Sequence, residues 1–133
     1  MRKVFLYRLY PTKAQEDTLS HHLRLCRQFY NACLEQRRTA WRSSRRSVRK
    51  SDQWREIPAL VEQMLEFKEV WAHALQDAGN RLDRAFQSFF RIKRGYPRFK
   101  GRSLYNSITY PYPYGVGYKV EGNRLHLSKI GDI

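Results

Sequence analysis

The sequence predicts an α+β fold in which a group of helices is inserted between the strands of one small sheet. A short stretch near the start is rich in β-branched and aromatic residues, as strands are. Long middle segments repeat apolar residues at helical spacing, and the last third returns to a strand-like pattern broken by glycine and proline. With 133 residues, the chain has the length of about one domain.

The first strand is predicted at residues 3–10, and Pro11 ends it. Thr12 and Gln15 have the spacing of a capping box, which predicts the start of a long amphipathic helix reaching to about Trp41. The apolar residues of that helix recur at spacings of four and three: Leu19, Leu23, Cys26, Tyr30 and Cys33.

Residues 42–50 hold five cations and three serines, which predicts a mobile basic loop. Asp52 and Pro58 then open short helical pieces, and a last helix is expected over residues 70–94 with Gly95 as its left-handed cap. Strands are predicted at residues 107–110 and 117–127, the second as a hairpin around Gly122 and Asn123. No turn or cap is predicted before the last residue, Ile133.

The charge predicts a polyanionic partner. Lysine and arginine number 26 against 12 acidic residues, a net charge of +14. Nucleic acid is the usual partner of such a chain, although a ribosomal or membrane-surface protein would share the composition. No apolar run has the length of a membrane span, so we expect a cytoplasmic, nucleoid-associated protein.

Cys26 and Cys33 lie two helical turns apart, too far to form a disulfide with each other. His22 shares their helix face, but zinc needs four converging ligands, so we expect buried cysteines and no metal. No grouping of nucleophile and base stands out. The sequence therefore predicts a binding protein without catalytic residues or a cofactor of its own.

Five motifs occur in order along the chain. They are RLYPTxxQ at residues 8–15, FYNxxLExR at 29–37, LQxAxxRLDxAFxxFFR at 75–91, GxPRFK at 95–100 and LxKIG at 127–131. Together they resemble the N-terminal part of TnpB (OrfB), the transposon-encoded RNA-guided DNA endonucleases related to type V CRISPR effectors. The resemblance covers essentially the whole chain.

The resemblance implies a helical recognition domain at residues 11–95, inserted into a wedge domain that is a partial oligonucleotide-binding-type β-barrel. Residues 1–10 would be the first wedge strand and residues 96–133 the later ones, truncated before the nuclease domain of the family. It implies guide RNA and target DNA as partners, with no membrane and no small-molecule substrate. The helix-turn-helix label often given to the opening segment fits poorly, because a long basic loop replaces the short turn of that motif.

Arg98, Lys100 and Arg102 are predicted to share one face of an extended backbone, with Phe99 opposite. On that face they would bind phosphates of guide RNA or of a guide–target hybrid; the alternative is a solvated basic linker. The loop offers a second set of cations with the same two interpretations. Its members are Arg45, Arg46, Arg49 and Lys50.

Gln76 and Thr109 match family positions that help to read the short duplex motif beside the target. Glutamine pairs with adenine and threonine contacts a thymine methyl or a phosphate. The alternatives are an exposed helix glutamine and a strand threonine. Ala72 and His73 stand where the family often has base-contacting residues, and the alanine side chain cannot form a hydrogen bond. The motif read by this chain therefore differs, or other residues read it.

Three alternating tyrosines, Tyr110, Tyr112 and Tyr114, either stack on unpaired bases or pack against the fold, and we favour packing. Two other functions compete with the TnpB-like one. The first is a stand-alone, transposon-encoded DNA-binding regulator without guide RNA, and the second is a structural RNA-associated protein of ribosomal type.

Overall fold

The computed structural model describes residues 3–110 and 117–133, and the fold is α+β. The helical part comes first, followed by a small antiparallel sheet in the order β1-β2-β3. The elements are α1 (Lys13–Ser44), α2 (Lys50–Arg55), α3 (Ile57–Gln63), a 3₁₀ helix (Leu65–Glu69), α4 (Ala72–Ile92), β1 (Tyr118–Glu121), β2 (Arg124–Leu127) and β3 (Gly131–Asp132).

The predicted capping box opens α1. The Gln15 backbone N–H donates to Thr12 Oγ1 at 3.2 Å, and the Thr12 N–H donates back to Gln15 Oε1 at 2.9 Å. Two otherwise unpaired donors at the helix start are thereby satisfied. The helix continues to Ser44, three residues beyond the predicted end at Trp41, and stops at Arg45 in the left-handed conformation (φ 52°).

The core forms where the apolar stripes of α1 and α4 pack together. Leu25 and Leu34 of α1 are fully buried, as are Leu75 and Leu82 of α4. Cys26 and Cys33 are buried within the same cluster as free thiols, as predicted. Burial raises the pKa of each thiol to about 12, so both stay protonated and unreactive at neutral pH.

A buried polar network joins α2 to the two long helices. The Gln53 side chain is 1% exposed and donates to the Cys33 carbonyl at 2.8 Å, while Arg37 Nε donates to its Oε1 at 3.0 Å. The Arg37 guanidinium also pairs with Asp83 on α4 at 3.4 Å. Since each buried polar group finds a partner, the network fixes the position of α2 without an unpaired charge in the core.

Gly79 lets α2 approach α4 closely. A Cβ at this position would lie 2.8 Å from Trp54 Nε1, nearer than non-bonded atoms approach. The indole N–H donates to the Gln76 carbonyl at 3.0 Å, so the ring is held in place. Glycine is therefore required here by packing, against its low helix propensity.

The hairpin predicted around Gly122 and Asn123 is confirmed. β1 and β2 pair antiparallel with Tyr118 opposite Leu127 and Glu121 opposite Arg124, and Gly122 takes the positive φ (56°) of a tight turn. β3, which was not predicted, pairs with β2, placing Leu127 opposite Gly131.

Two predicted strands are wrong. Residues 3–10 and 107–110, all within the described part of the chain, form no strand. A strand needs a hydrogen-bonding neighbour, and the sheet described here pairs only within residues 118–132. Val4 is 95% exposed and Leu6 98%, which shows that β propensity without a pairing partner and a buried face does not make a strand.

Two predicted helix boundaries also shift. α4 ends at Ile92, and Lys93 rather than Gly95 adopts the left-handed cap conformation (φ 57°). At this cap the Lys93 N–H bonds to the Ser88 carbonyl, which closes the last turn two residues before the glycine. The basic loop is shorter than the predicted residues 42–50, because α1 continues to Ser44 and α2 begins at Lys50.

Within the described residues, no helix is both long and apolar enough to cross a membrane.

We predict that Gly79→Ala destabilises the protein by up to about 2 kcal/mol. The overpacking cost against Trp54, roughly 1–3 kcal/mol, exceeds the gain in helix propensity of about 1 kcal/mol. Chemical denaturation measures the change, with the exposed Gln87→Ala on the same helix as the control. Equal or higher stability of Gly79→Ala would contradict the close packing of α2 on α4.

We predict that the protein loses stability as the pH falls below 6.5, through His22. This side chain is 2% exposed, and its pKa is lowered chiefly because burial disfavours the imidazolium; nearby His21 adds to the effect and Glu69 opposes it. The unfolded chain binds the proton first on acidification, so protonation favours unfolding. The denaturation midpoint should differ less between about pH 7.5 and pH 5 in His22→Leu than in the wild type. Equal differences in the two proteins would refute the assignment of the pH effect to His22.

Candidate nucleic-acid interface

Asn31 fixes the backbone of residues 98–102, here called the basic segment, against α1. Its Nδ2 donates to the Lys100 carbonyl at 3.0 Å, and the Lys100 N–H donates to its Oδ1 at 2.8 Å. The side-chain amide thus pairs with the main chain as a neighbouring strand would. Asn31 belongs to the FYNxxLExR motif and Lys100 to the GxPRFK motif, so this contact joins two of the motifs recognised in the sequence.

The three cations of this segment do not share one environment. Arg98 and Arg102 are exposed, whereas Lys100 is half-buried and its Nζ lies 5.7 Å from the centre of the Tyr30 ring. The extended backbone also stops earlier than predicted, because the Leu104 N–H bonds to the Gly101 carbonyl at 3.1 Å and closes a turn. Arg98 and Arg102 are therefore exposed to solvent while Lys100 lies against α1, and the shared face of the three cations stays a prediction.

Phe99 is partly exposed, and the Arg38 guanidinium of α1 lies 5.3 Å from the centre of its ring. The contact brings a further cation to the segment that carries Arg98. Sequence reasoning did not include Arg38, although its position one residue after Arg37 of the FYNxxLExR motif was available as a signal.

Thr109 is held to α4 by Arg81, which sequence reasoning also left out of the site. Arg81 Nη2 donates to Thr109 Oγ1 at 2.9 Å and Nη1 to the Ser107 carbonyl at 3.0 Å. On its own helix, Arg81 pairs with Asp77 at 2.8 Å. The guanidinium also lies 4.8 Å from the centre of the buried Tyr105 ring. Arg81 therefore fixes the position of the exposed Thr109 hydroxyl, which keeps its proton available as a donor.

Gln76 lies on the same helix as Arg81 and is half-buried. Its backbone carbonyl accepts the Trp54 indole N–H, while its side-chain amide forms no hydrogen bond with the described residues. The structure thus brings Thr109 to the helix that carries Gln76 and leaves polar groups of both side chains able to bind a ligand.

The cations of the basic loop divide into two groups. Lys50 is engaged: its Nζ bonds to Asn80 Oδ1 at 3.4 Å and lies 4.9 Å from the Trp54 ring centre. Arg45, Arg46 and Arg49 are exposed, and the Arg45 guanidinium lies 5.6 Å from the Trp41 ring centre. The left-handed cap at Arg45 and the buried side chain of Val48 anchor this part of the loop.

Tyr110 packs against the fold, as favoured. Its ring stacks on Trp71 with centroids 5.0 Å apart, and its hydroxyl donates to the Ser128 carbonyl at 3.2 Å. Burial raises its pKa to about 12. The residue therefore joins the helical part to the sheet. Tyr112 and Tyr114 lie outside the described residues.

The described residues contain no group of three or more histidine, cysteine, aspartate or glutamate side chains placed to hold a metal ion.

Comparison with known proteins gives two kinds of match. Residues 1–46 match the helix-turn-helix domain family of OrfB proteins of the IS605 type. A Streptomyces pristinaespiralis protein, whose name describes an RNA-guided DNA endonuclease, is 33% identical over 108 residues, which is 77% of this chain and 26% of that protein. InsQ of Escherichia coli K12, named likewise, is 27% identical over 136 aligned positions, 97% of this chain and 32% of InsQ.

The chain belongs to the TnpB/OrfB family and corresponds to an N-terminal region of such proteins. It spans about a quarter to a third of the length of these two relatives. Among residues 3–46, within the matching domain, the structure has one helix, α1, and α2 begins at Lys50. The family resemblance read from the five motifs is confirmed.

We predict that Asn31→Ala loosens the basic segment without unfolding the protein. Two hydrogen bonds, worth about 1 kcal/mol each, are lost, so the Lys100 amide should exchange with solvent roughly thirtyfold faster. Native-state hydrogen exchange measures this. Gln28→Ala, an exposed change on the same helix, is the control, and unchanged exchange at Lys100 in Asn31→Ala would show that the amide does not hold the segment.

Proposed function

We propose that this chain is the nucleic-acid-binding N-terminal portion of a TnpB-like RNA-guided DNA endonuclease, which binds guide RNA and target DNA with its flanking motif. The observation that carries the proposal is the basic segment held by Asn31, with Arg98 and Arg102 directed to solvent on a backbone that is already ordered. An ordered segment binds phosphates with little further loss of conformational entropy. The names of the two relatives support the assignment.

In this proposal the exposed cations neutralise phosphates, and the polar side chains on and beside α4 read base edges. Arg98 and Arg102 of the basic segment bind phosphates together with three cations of the basic loop, Arg45, Arg46 and Arg49. Lys100 mainly positions the basic segment, and Lys50 mainly positions the basic loop. Gln76 reads an adenine edge, and Thr109, oriented by Arg81, contacts a thymine or a phosphate. Discrimination along the rest of the target comes from guide pairing. The chain acts by binding, without a cofactor, and its charge favours association with the nucleoid.

We further propose that residues 3–10 and 96–133 contribute strands to a wedge domain of the oligonucleotide-binding type. The exposed apolar side chains of Val4 and Leu6 support this, because in a completed barrel they would find a pairing neighbour and a buried face.

A DNA-binding regulator without guide RNA is the second candidate, favoured by the helix-turn-helix name of the family that matches residues 1–46. The two functions differ in the nucleic acid that accompanies the protein. A guide-dependent protein should purify with one defined RNA, whereas a regulator should bind an operator duplex without RNA. Sequencing of the copurified RNA distinguishes them.

We predict that Arg98→Ala and Arg102→Ala each weaken binding to nucleic acid and make it less sensitive to salt. For duplex DNA, each lost phosphate contact should reduce the log–log salt slope by about 0.9. Fluorescence anisotropy titrations across a series of salt concentrations measure the slope.

Lys68→Ala is the matched control, since it removes one exposed positive charge outside the basic segments. A wild-type protein whose affinity for RNA and DNA does not depend on salt would overturn the proposed function. An equal change of slope in all three variants would show that net charge, and not the basic segment, determines binding.

A further inference from the structure

An aromatic groove lies between the end of α1 and the end of α4. Its volume is about 370 Å³, near the lower limit of pockets that hold small ligands, roughly 300–1,000 Å³. The aromatic residues lining it are Trp41, Phe86, Phe89, Phe90 and Tyr96. Trp41 is 51% exposed, Phe90 66% and Tyr96 43%.

The groove has a fixed floor. Phe86 is 5% exposed, and Tyr96 meets both Phe86 and Phe89 edge to face, with centroid distances of 5.4 and 5.3 Å. The Arg37 guanidinium lies 5.0 Å from the Phe86 ring centre and is itself fixed by Asp83. These contacts fix the buried side of the groove, and the exposed rings of Trp41 and Phe90 form its rim.

The charged side chains that line the groove, Arg37 and Arg46, are both positive, and Arg37 is paired with Asp83. Residues 37–50, which form one side, contain seven cations, and residues 91–102, which follow the other, contain six; neither stretch contains an acidic residue. Arg46 lines the groove directly. A protein segment docked here by apolar side chains alone would leave this charge uncompensated, whereas a nucleotide supplies a flat ring for the aromatic walls and a phosphate for the arginines.

We propose that the aromatic groove binds an unpaired base of RNA, stacked against Trp41 and Phe90 while Arg46 contacts its phosphate. Duplex DNA keeps its bases stacked inside the helix, but folded RNA presents unpaired bases in loops and bulges, which proteins bind on aromatic and arginine surfaces. This inference rests on the proposed function and adds a second site to it. The two sites differ in chemistry: the aromatic rings bind a base, whereas the basic segment binds the phosphate backbone of the nucleic acid.

The test uses a small RNA hairpin with 2-aminopurine in its loop and a fully paired RNA duplex of the same stem. Stacking on the groove should quench the 2-aminopurine fluorescence on binding. Trp41→Ala should abolish the quenching and weaken hairpin binding by roughly tenfold, as expected for loss of one stacked base. Binding of the paired duplex, which depends on phosphate contacts alone, should weaken much less.

Phe90→Leu is the second variant, because it keeps apolar bulk and removes the ring. Ile92→Ala is the control: Ile92 is 65% exposed on the same helix and does not line the groove. Circular dichroism and thermal unfolding establish that each variant is folded.

Wild-type hairpin affinity and quenching in both Trp41→Ala and Phe90→Leu would overturn the inference while leaving the proposed function intact. A tighter, Trp41-dependent interaction with a DNA hairpin of the same sequence would overturn the assignment to RNA. Absence of salt-dependent binding to any RNA or DNA by the wild type would instead overturn the proposed function.

Discussion

The apolar contact between α1 and α4 supports the segments that carry the proposed nucleic-acid-binding residues. Cys26, Leu75 and Leu82 are fully buried, and the partly buried Arg37–Asp83 pair joins the two helices at the edge of this core. Each long helix then uses its remaining faces to hold a less regular segment. α1 holds Lys100 through Asn31, and α4 holds Thr109 through Arg81. If the two helices separated, the basic segment and the threonine would lose their shared frame.

Sequence periodicity was sufficient to predict the long helices, because their apolar stripes face one another in the core. The capping box at Thr12 and the turn at Gly122 were also predictable from the sequence, since both depend on neighbouring residues alone. The strand expected at residues 3–10 failed because strand formation depends on a partner, which no local pattern specifies. The cap at Lys93 in place of Gly95 shows the same limit: the glycine permitted a left-handed turn but did not determine where the last helical bond would form.

The candidate site shows a similar division. Composition and the GxPRFK motif placed the cations, and exposure of Arg98 and Arg102 fits that placement. The residues that hold the site in shape, Asn31 and Arg81, act through side-chain contacts 69 and 26–28 positions along the chain. Such distant pairs leave no periodic signal in one sequence. Both residues lie inside the quoted motifs, so the motifs marked them as distinctive without stating what they contact.

The way in which cations are held distinguishes the interior from the proposed binding surface. Arg37 and Arg81, near the core, pair with carboxylates, which neutralise them. Arg38 and Arg45, at the surface, lie over Phe99 and Trp41 instead. A ring restricts the position of a guanidinium through its quadrupole but carries no net charge, so the cation remains available to an anion. With few acids nearby, these arginines repel one another in the free protein, and a bound phosphate chain relieves that repulsion. Trp41, which holds Arg45 in this way, is also one of the rings proposed above to stack on a base.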